Sequence, residues 1–208
     1  MIIEKITTTP MGDVNIWVAS KTCKSELTPG ETWDTWRNNE VPEERISKML
    51  LALWRAKHYS VFEHTSITFG ISGISRSCLA QLTRHRHLSF SVQSQRYVDM
   101  SKCNIVTPKS IIDNPEAVKI FKNITNEIHE AYKELVNLRI PREDARFILP
   151  EGSMTNLVLS CNLRSLGELY EKRVSTSGAQ WEITELVDRM ADIACEEYPW
   201  YRDCLNML

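Results

Sequence analysis

The segment that opens at Asn114-Pro115-Glu116 most constrains the fold, because nothing interrupts its helical pattern until about Leu138. The Asn side chain can accept an orphan backbone N–H, and Pro at the first helical position has no N–H to satisfy. The helical period sets Val118, Phe121, Ile128, Ala131 and Leu135 on one face, which is expected to be buried. Pro42 opens a second helix, from Glu43 to about Lys57, with Ile46, Met49, Leu50, Leu53 and Trp54 on one side. Further helices are expected from Ser75 to about Arg84, from Pro141 to near Pro150, and from Ser165 to about Arg173. The last runs from Ala179 to about Glu197, where Pro199 stops it. Period-two alternation marks strands at Thr65–Ser72, through Ile67, Phe69 and Ile71, and at Thr155–Asn162. Residues 1–20 read as strand and turn through Val14, Ile16 and Val18; Thr35–Asn39 is mostly polar, and His87–Val98 is polar and β-like. The order does not repeat as βαβ. The expectation is therefore an α+β fold, with a central, mostly antiparallel sheet flanked by long helices.

No repeat, low-complexity run or Pro/Gly/Ser linker divides the 208 residues, so one domain over 1–208 is expected. A hydrophobic content of 42% suffices for a real core. The net charge of -2 gives no general attraction to nucleic acid or to an acidic membrane, so any anion must be held by a local basic cluster. The N-terminus lacks a basic-then-apolar leader and no apolar run is long enough to span a bilayer, which points to the cytoplasm. Thiols stay reduced there, and none of the six cysteines lies in a C-x-x-C pair. Neither disulfides nor a metal site is expected, and Cys161 and Cys195 are expected to be buried.

The chemistry concentrates between Arg84 and Tyr97, in Arg-His-Arg-His-Leu-Ser-Phe-Ser-Val-Gln-Ser-Gln-Arg-Tyr. Three arginines and two histidines fall within 13 positions. Guanidinium forks grip phosphate in a bidentate way and keep their charge, and Ser89, Ser91 and Ser94 add hydroxyls. On composition alone, a solvated basic turn accounts for the same residues. No G-x-G-x-x-G follows a strand and there is no Walker loop, so a bound dinucleotide must be held by side chains and helix ends.

Arg84-His85-Arg86, then seven residues, then Ser94, followed by Gln95-Arg96-Tyr97, resembles the signature of the flavin-dependent thymidylate synthases. Phe62-Glu63-His64, Gln81, Pro141-Arg142-Glu143-Asp144-Ala145-Arg146 with Leu149-Pro150, Asn162-Leu163-Arg164-Ser165-Leu166, and Arg173 with Ala179-Gln180-Trp181-Glu182-Ile183 follow in that family's order. Ala19-Ser20-Lys21-Thr22-Cys23 is a weaker echo, and the resemblance covers roughly residues 15 to 200. It implies reductive methylation of dUMP to dTMP, with 5,10-methylenetetrahydrofolate as carbon donor and NADPH-reduced FAD as hydride donor. It also implies a homotetramer whose active sites are shared between subunits.

Residue by residue, the resemblance assigns Arg84, His85, Arg86, Val92, Asn162, Arg164 and Glu168 to the flavin, with Ser66 reaching it from a neighbouring chain. Gln81, Arg84, Val92, Gln93, Ser94, Gln95 and Arg96 line the dUMP site, joined by Arg146 from another subunit. His64 lies where folate enters, and Arg173 is the activating residue against the uracil ring. The last role has a physical reason. Uracil C5 attacks only if charge builds at N3 and the carbonyl oxygens, and a fixed guanidinium stabilises that charge. The older thymidylate synthases use a cysteine in a Pro-Cys-His setting, which this chain lacks.

Plainer readings stand beside these. Arg173 could be a charge at a helix C-terminus, His64 a core histidine, and Arg146 a partner of Glu143 on one helix face. Trp181 points away from the stripe Ile183, Leu186, Val187, Met190 and Ala194, which suits packing on another element or subunit; Gln180 and Glu182 read as solvated. The chain departs from the family pattern at Ser91 and at Val92, where only the backbone can bond, and at Glu168, whose carboxylate needs a donor. Val174–Gly178 is about one residue longer than usual.

Overall fold

In the computed structural model, which describes all of residues 1–208, the elements follow in the order β1 (Ile2–Thr8), α1 (Gly12–Thr22), α2 (Pro29–Arg37), α3 (Glu43–Arg55), β2 (Ser66–Ser75), α4 (Arg76–Leu82) and β3 (Leu88–Val92). Then come α5 (Lys109–Ile112), α6 (Pro115–Asn137), α7 (Arg142–Ala145), β4 (Met154–Asn162), α8 (Leu163–Tyr170), α9 (Trp181–Glu197) and α10 (Tyr201–Leu205). Short 3-10 turns cover Tyr59–His64 and Arg146–Ile148, and Glu171–Ser175 is π-helical. The four strands make one antiparallel sheet in the order β1-β2-β4-β3, so the fold is α+β. Period two explains the central strands: β2 buries Ile67, Phe69 and Ile71, and β4 buries Thr155, Leu157, Leu159 and Cys161. Between those positions, the Thr68 and Ser160 hydroxyls meet at 2.8 Å.

The chain packs as two compact units. The larger comprises Ile3–Gly70, His85–Phe90 and Val158–Leu208; the smaller comprises Met1–Ile2, Ile71–Arg84 and Ser91–Leu157. In the larger unit α3 buries Ile46, Leu50 and Trp54, and α9 buries the whole stripe from Ile183 to Ala194. Trp54 sits edge-on to Tyr59, Phe62 and Tyr201, with centroids 4.9, 5.0 and 5.6 Å away. Such ring pairs add to area burial because a positive edge meets a negative face. Tyr201 donates its hydroxyl proton to the Leu163 carbonyl at 2.5 Å, which locks α10 to α8. In the smaller unit Met100, Tyr132 and Ala145 form a core flanked by Cys103, Leu135, Val136 and Leu149.

Several expectations are corrected. Residues 12–22 form helix α1, which buries Val14, Ile16 and Trp17, and the strand ends at Thr8. Thr35 belongs to α2, which opens on a capping box: Thr28 accepts from the Glu31 amide at 3.2 Å while the Glu31 carboxylate takes the Thr28 amide at 2.8 Å. The long helix α6 starts where Asn114 caps it, but it buries only Tyr132; Ala131 is exposed, and Val118, Phe121, Ile128 and Leu135 are half-buried. The helix expected to reach Arg173 is α-helical only to Tyr170. Gln180 caps α9, and Glu182 is buried rather than solvated. Helix α10 was not expected at all. No helix is long and apolar enough to cross a membrane.

All six cysteines are free thiols; Cys161 is buried as expected, whereas Cys195 is half-buried. Burial pushes the Cys161 and Cys204 thiols up to about 12, and that of Cys195 up to about 11. An unfolded thiol titrates near 9. Below that value both states hold the proton, and this contribution to stability is complete. Above it the unfolded chain ionises first, so stability falls as pH rises towards 12, by about 1.4 kcal/mol per pH unit for each such thiol. Urea midpoints are expected to drop above pH 9 and to drop less steeply in Cys161→Ser. An unchanged slope in that variant refutes the role given to Cys161.

Candidate active site

In the larger unit, Arg173 lies in the π-helical turn that follows α8. The Thr176 amide donates to the Glu171 carbonyl at 3.0 Å, a five-residue step that widens the helix. The Thr184 hydroxyl on α9 donates to the Arg173 carbonyl at 2.9 Å and pins the turn. Arg173 Nε donates to His85 Nε2 at 2.9 Å. His85 therefore presents an unprotonated Nε2 to the guanidinium. Arg173 lies in the last turn of this helical stretch, and its side chain is tied to the middle residue of the Arg-His-Arg run. Both side chains are half-buried, which limits solvent screening of the guanidinium.

Arg164, in the first turn of α8, donates Nε to Glu168 at 3.1 Å and NH1 to Glu63. The carboxylate at 168 thus has its donor, one helical turn back. The bonds from Glu63 and Glu168 raise the pKa of the Arg164 guanidinium. Asn162 Oδ1 accepts the Ser165 amide at 2.8 Å and caps α8, so its side-chain NH2 is the group that can reach a ligand. His64 is exposed, which rules out the core reading; it borders a groove of about 600 Å3 with Val18, Ala19, Cys23 and Trp33. Ser66 is exposed at the start of β2. Arg86 is exposed and has no carboxylate partner.

In the smaller unit Glu143 is a hub. Its carboxylate pairs with Arg96 at 2.6 Å, and its carbonyl accepts from Arg146 Nε at 3.1 Å. The side-chain pairing of Arg146 with Glu143 does not form, because Arg96 takes that carboxylate. Arg96 also lies 6.0 Å from the centre of the exposed Tyr97 ring, and Arg142 donates to the Tyr97 carbonyl at 2.8 Å. The Gln93 amide donates to the Asn156 carbonyl at 2.8 Å while its own carbonyl accepts from Arg76 at 2.8 Å. Ser94 Oγ takes the Arg96 amide at 3.2 Å. Gln81, Val92, Gln93, Ser94, Gln95 and Arg146 are half-buried, while Arg84 and Arg96 are exposed. Only one carboxylate, that of Glu143, is ion-paired within this set, so Arg76, Arg84, Arg142 and Arg146 keep their charge available for an anion.

Arg76 and Glu63 are the polar residues that the sequence reading missed. Desolvation lowers the Arg76 pKa, and its buried Nε has no partner. Nothing in a lone Arg at a helix start announces this. Glu63 stood in view beside His64, but its partner lies 101 positions away.

The family model described as thymidylate synthase complementing protein matches residues 5–200. The chain belongs to this family. A flavin-dependent thymidylate synthase of Halobacterium salinarum is 37% identical over 198 residues, covering 83% of this chain and 80% of that one. One from Nitratidesulfovibrio vulgaris is 32% identical over 205 residues, covering 95% and 83%. A UMP/dUMP methylase from Streptomyces cacaoi, solved with 5-Br dUMP, superposes with a TM-score of 0.80 over 100% of this chain and 95% of that one; at 21% identity it shares the fold. Within the larger unit two features of this thymidylate synthase family member suit a flavin: the charge of exposed Arg86 has no carboxylate partner, and Arg164 neutralises the carboxylate at 168.

Proposed function

We propose that the chain methylates dUMP to dTMP, taking the carbon from 5,10-methylenetetrahydrofolate and the hydride from FAD reduced by NADPH. The bond from Arg173 to His85 carries this reading, because it fixes the orientation of a guanidinium on the Arg-His-Arg run. A guanidinium held in place stabilises negative charge developing on the pyrimidine without reorganising during the reaction. His85 acts as a positioning residue for Arg173, and it joins Arg84, Arg86, Val92, Asn162, Arg164, Glu168 and Ser66 in holding the flavin. Gln81, Arg84, Val92, Gln93, Ser94, Gln95, Arg96 and Arg146 bind dUMP, with guanidinium forks on its phosphate. His64 borders the path of folate. The bound flavin supplies the hydride that completes the methyl group. A thiolate nucleophile needs a lowered pKa, and the thiols of Cys103, Cys161, Cys195 and Cys204 are shifted upwards. That favours chemistry without a cysteine nucleophile. The purified protein is expected to show a flavin absorption band and to form dTMP from dUMP only when folate donor and NADPH are both supplied. A colourless protein, or turnover without the folate, refutes the proposal.

The reading includes one domain over 1–208, a cytoplasmic setting and a homotetramer with shared sites. Convergence of the basic run on the Pro-Arg-Glu helix does not require a second subunit, because Arg96 and Glu143 meet within one chain. The support for assembly is α6: Ile120 and Ile124 are 70% and 48% exposed on a helix that buries one side chain. Phe147, in the turn after α7, is also exposed. Light scattering is expected to give four times the chain mass of 24.0 kDa. A fully active monomer refutes the tetramer.

A further inference from the structure

A cavity of about 320 Å3 lies among α1, α2 and α3, lined by Trp17, Lys21, Thr32, Val41, Arg45 and Met49 among others. It uses none of the residues assigned above. Its volume falls at the small end of the range for ligand pockets, roughly 300–1,000 Å3. Trp17, Val41 and Met49 give it an apolar side. Lys21 and Arg45 give it positive charge, and neither has a carboxylate partner. Three acids of α2 and α3 are engaged elsewhere: Asp34 with Arg37 at 3.5 Å, Glu44 with Lys48 at 2.7 Å, and Glu31 with the Thr28 cap. No acidic residue lines the cavity. Thr32 is 2% exposed, and its hydroxyl has no hydrogen-bond partner. Buried hydroxyls are almost always paired, because an unpaired one has lost water and gained nothing.

We propose that this cavity binds a small organic anion. Lys21 and Arg45 hold its acid group, its flat apolar body lies against Trp17, Val41 and Met49, and the Thr32 hydroxyl takes a polar atom of the ligand. The acid group is a carboxylate or a phosphate; both suit an ammonium beside a guanidinium.

The test is calorimetric titration of the flavin-loaded protein, with dUMP present in excess, against 2-naphthoate, 1-naphthyl phosphate and uncharged 2-naphthol. At least one anion is expected to bind saturably and to move the Met49 methyl resonance. The naphthol is expected to bind at least about tenfold more weakly, since two charge-assisted contacts are missing. Which anion binds identifies the acid group. The double substitution Lys21→Met with Arg45→Met is expected to weaken the anion at least about tenfold while dTMP formation stays unchanged. Thr32→Val is expected to raise the Tm of the free protein, by removing an unpaired buried hydroxyl, and at the same time to weaken the anion. A merely structural Thr32 would not do the second. Naphthol binding as tightly as the anions overturns the proposal, as does the absence of saturable binding by either anion below roughly 10 mM. Should the double variant fail to fold, the comparison of naphthol with the anions on the unaltered protein still decides.

Discussion

Arg173→Ala is expected to lose about 10²–10³ in the rate of dTMP formation, while its flavin is reduced by NADPH at close to the normal rate. Nε on His85 holds the guanidinium, and the Thr184 hydroxyl holds the backbone carbonyl of the same residue. That preorganisation is what a point charge lacks, so Arg173→Lys should not restore turnover: an ammonium cannot hold His85 from Nε and present a planar fork at once. A helix-end charge worth about 0.3–1 kcal/mol predicts the opposite, a slightly less stable protein with a nearly normal rate. Stopped-flow measurement of flavin reduction beside product formation separates the two. Near-normal methylation in the alanine variant removes Arg173 from the catalytic residues.

Gly167→Ala is expected to destabilise the fold, although alanine is the better helix former. An added Cβ at Gly167 would stand 2.6 Å from Trp54 Cη2 and 2.9 Å from Cζ2. The indole cannot yield, because Tyr59, Phe62 and Tyr201 hold it edge-on. Overpacking of that kind costs about 1–3 kcal/mol, occasionally more, against a helix gain of about 1 kcal/mol. A net loss of about 1 kcal/mol follows, roughly fivefold in the folding equilibrium. Gly30→Ala on α2 is the control. Nothing lies within 4 Å of its added Cβ, so the same substitution should stabilise by about 0.5–1 kcal/mol. Denaturant melts of both variants check the pair, and equal shifts would show that Trp54 is free to move. Gly167 precedes Glu168 in α8, so the clash would also disturb the Arg164 ion pairs.

Elements with one unambiguous signal were legible in the sequence. Asn114-Pro115 marks the start of α6 within a residue, and the alternation Ile67, Phe69, Ile71 marks β2. Helix α1 is hidden because Val14, Ile16 and Val18 alternate like a strand, whereas the structure buries Trp17 directly beside Ile16; burial on adjacent residues signals a helix face. The cap of α2 is legible as Thr28-Pro29-Gly30-Glu31, but the apolar pair that follows it, Trp33 and Trp36, is short and set among polar residues, which hides the helix. Glu182 was read as solvated because a carboxylate is rarely buried, and period alone cannot overrule that expectation. At the site, the motifs named the residues but not their partners. Arg96 to Glu143, Arg164 to Glu63 and Arg173 to His85 each join residues far apart in the chain, and local pattern carries no information about such pairs. The π turn at 171–175 was equally invisible, since one extra residue in a helix has no composition of its own.

The sparse burial along α6 has a thermodynamic consequence. Helices draw most of their stability from packing rather than from propensity, and this one buries only Tyr132 fully, with Leu135 and Val136 packed beside it. In the proposed tetramer, where other copies would cover its apolar face, the free energy that holds these 23 residues helical would become free energy of association. Chain concentration then enters the folding equilibrium itself. Dilution is then expected to lower the apparent Tm with no change of pH, salt or ligand. A surface substitution such as Ile124→Lys acts as dilution does, shifting the equilibrium between assembled and separate chains while leaving the buried core of each chain unaltered.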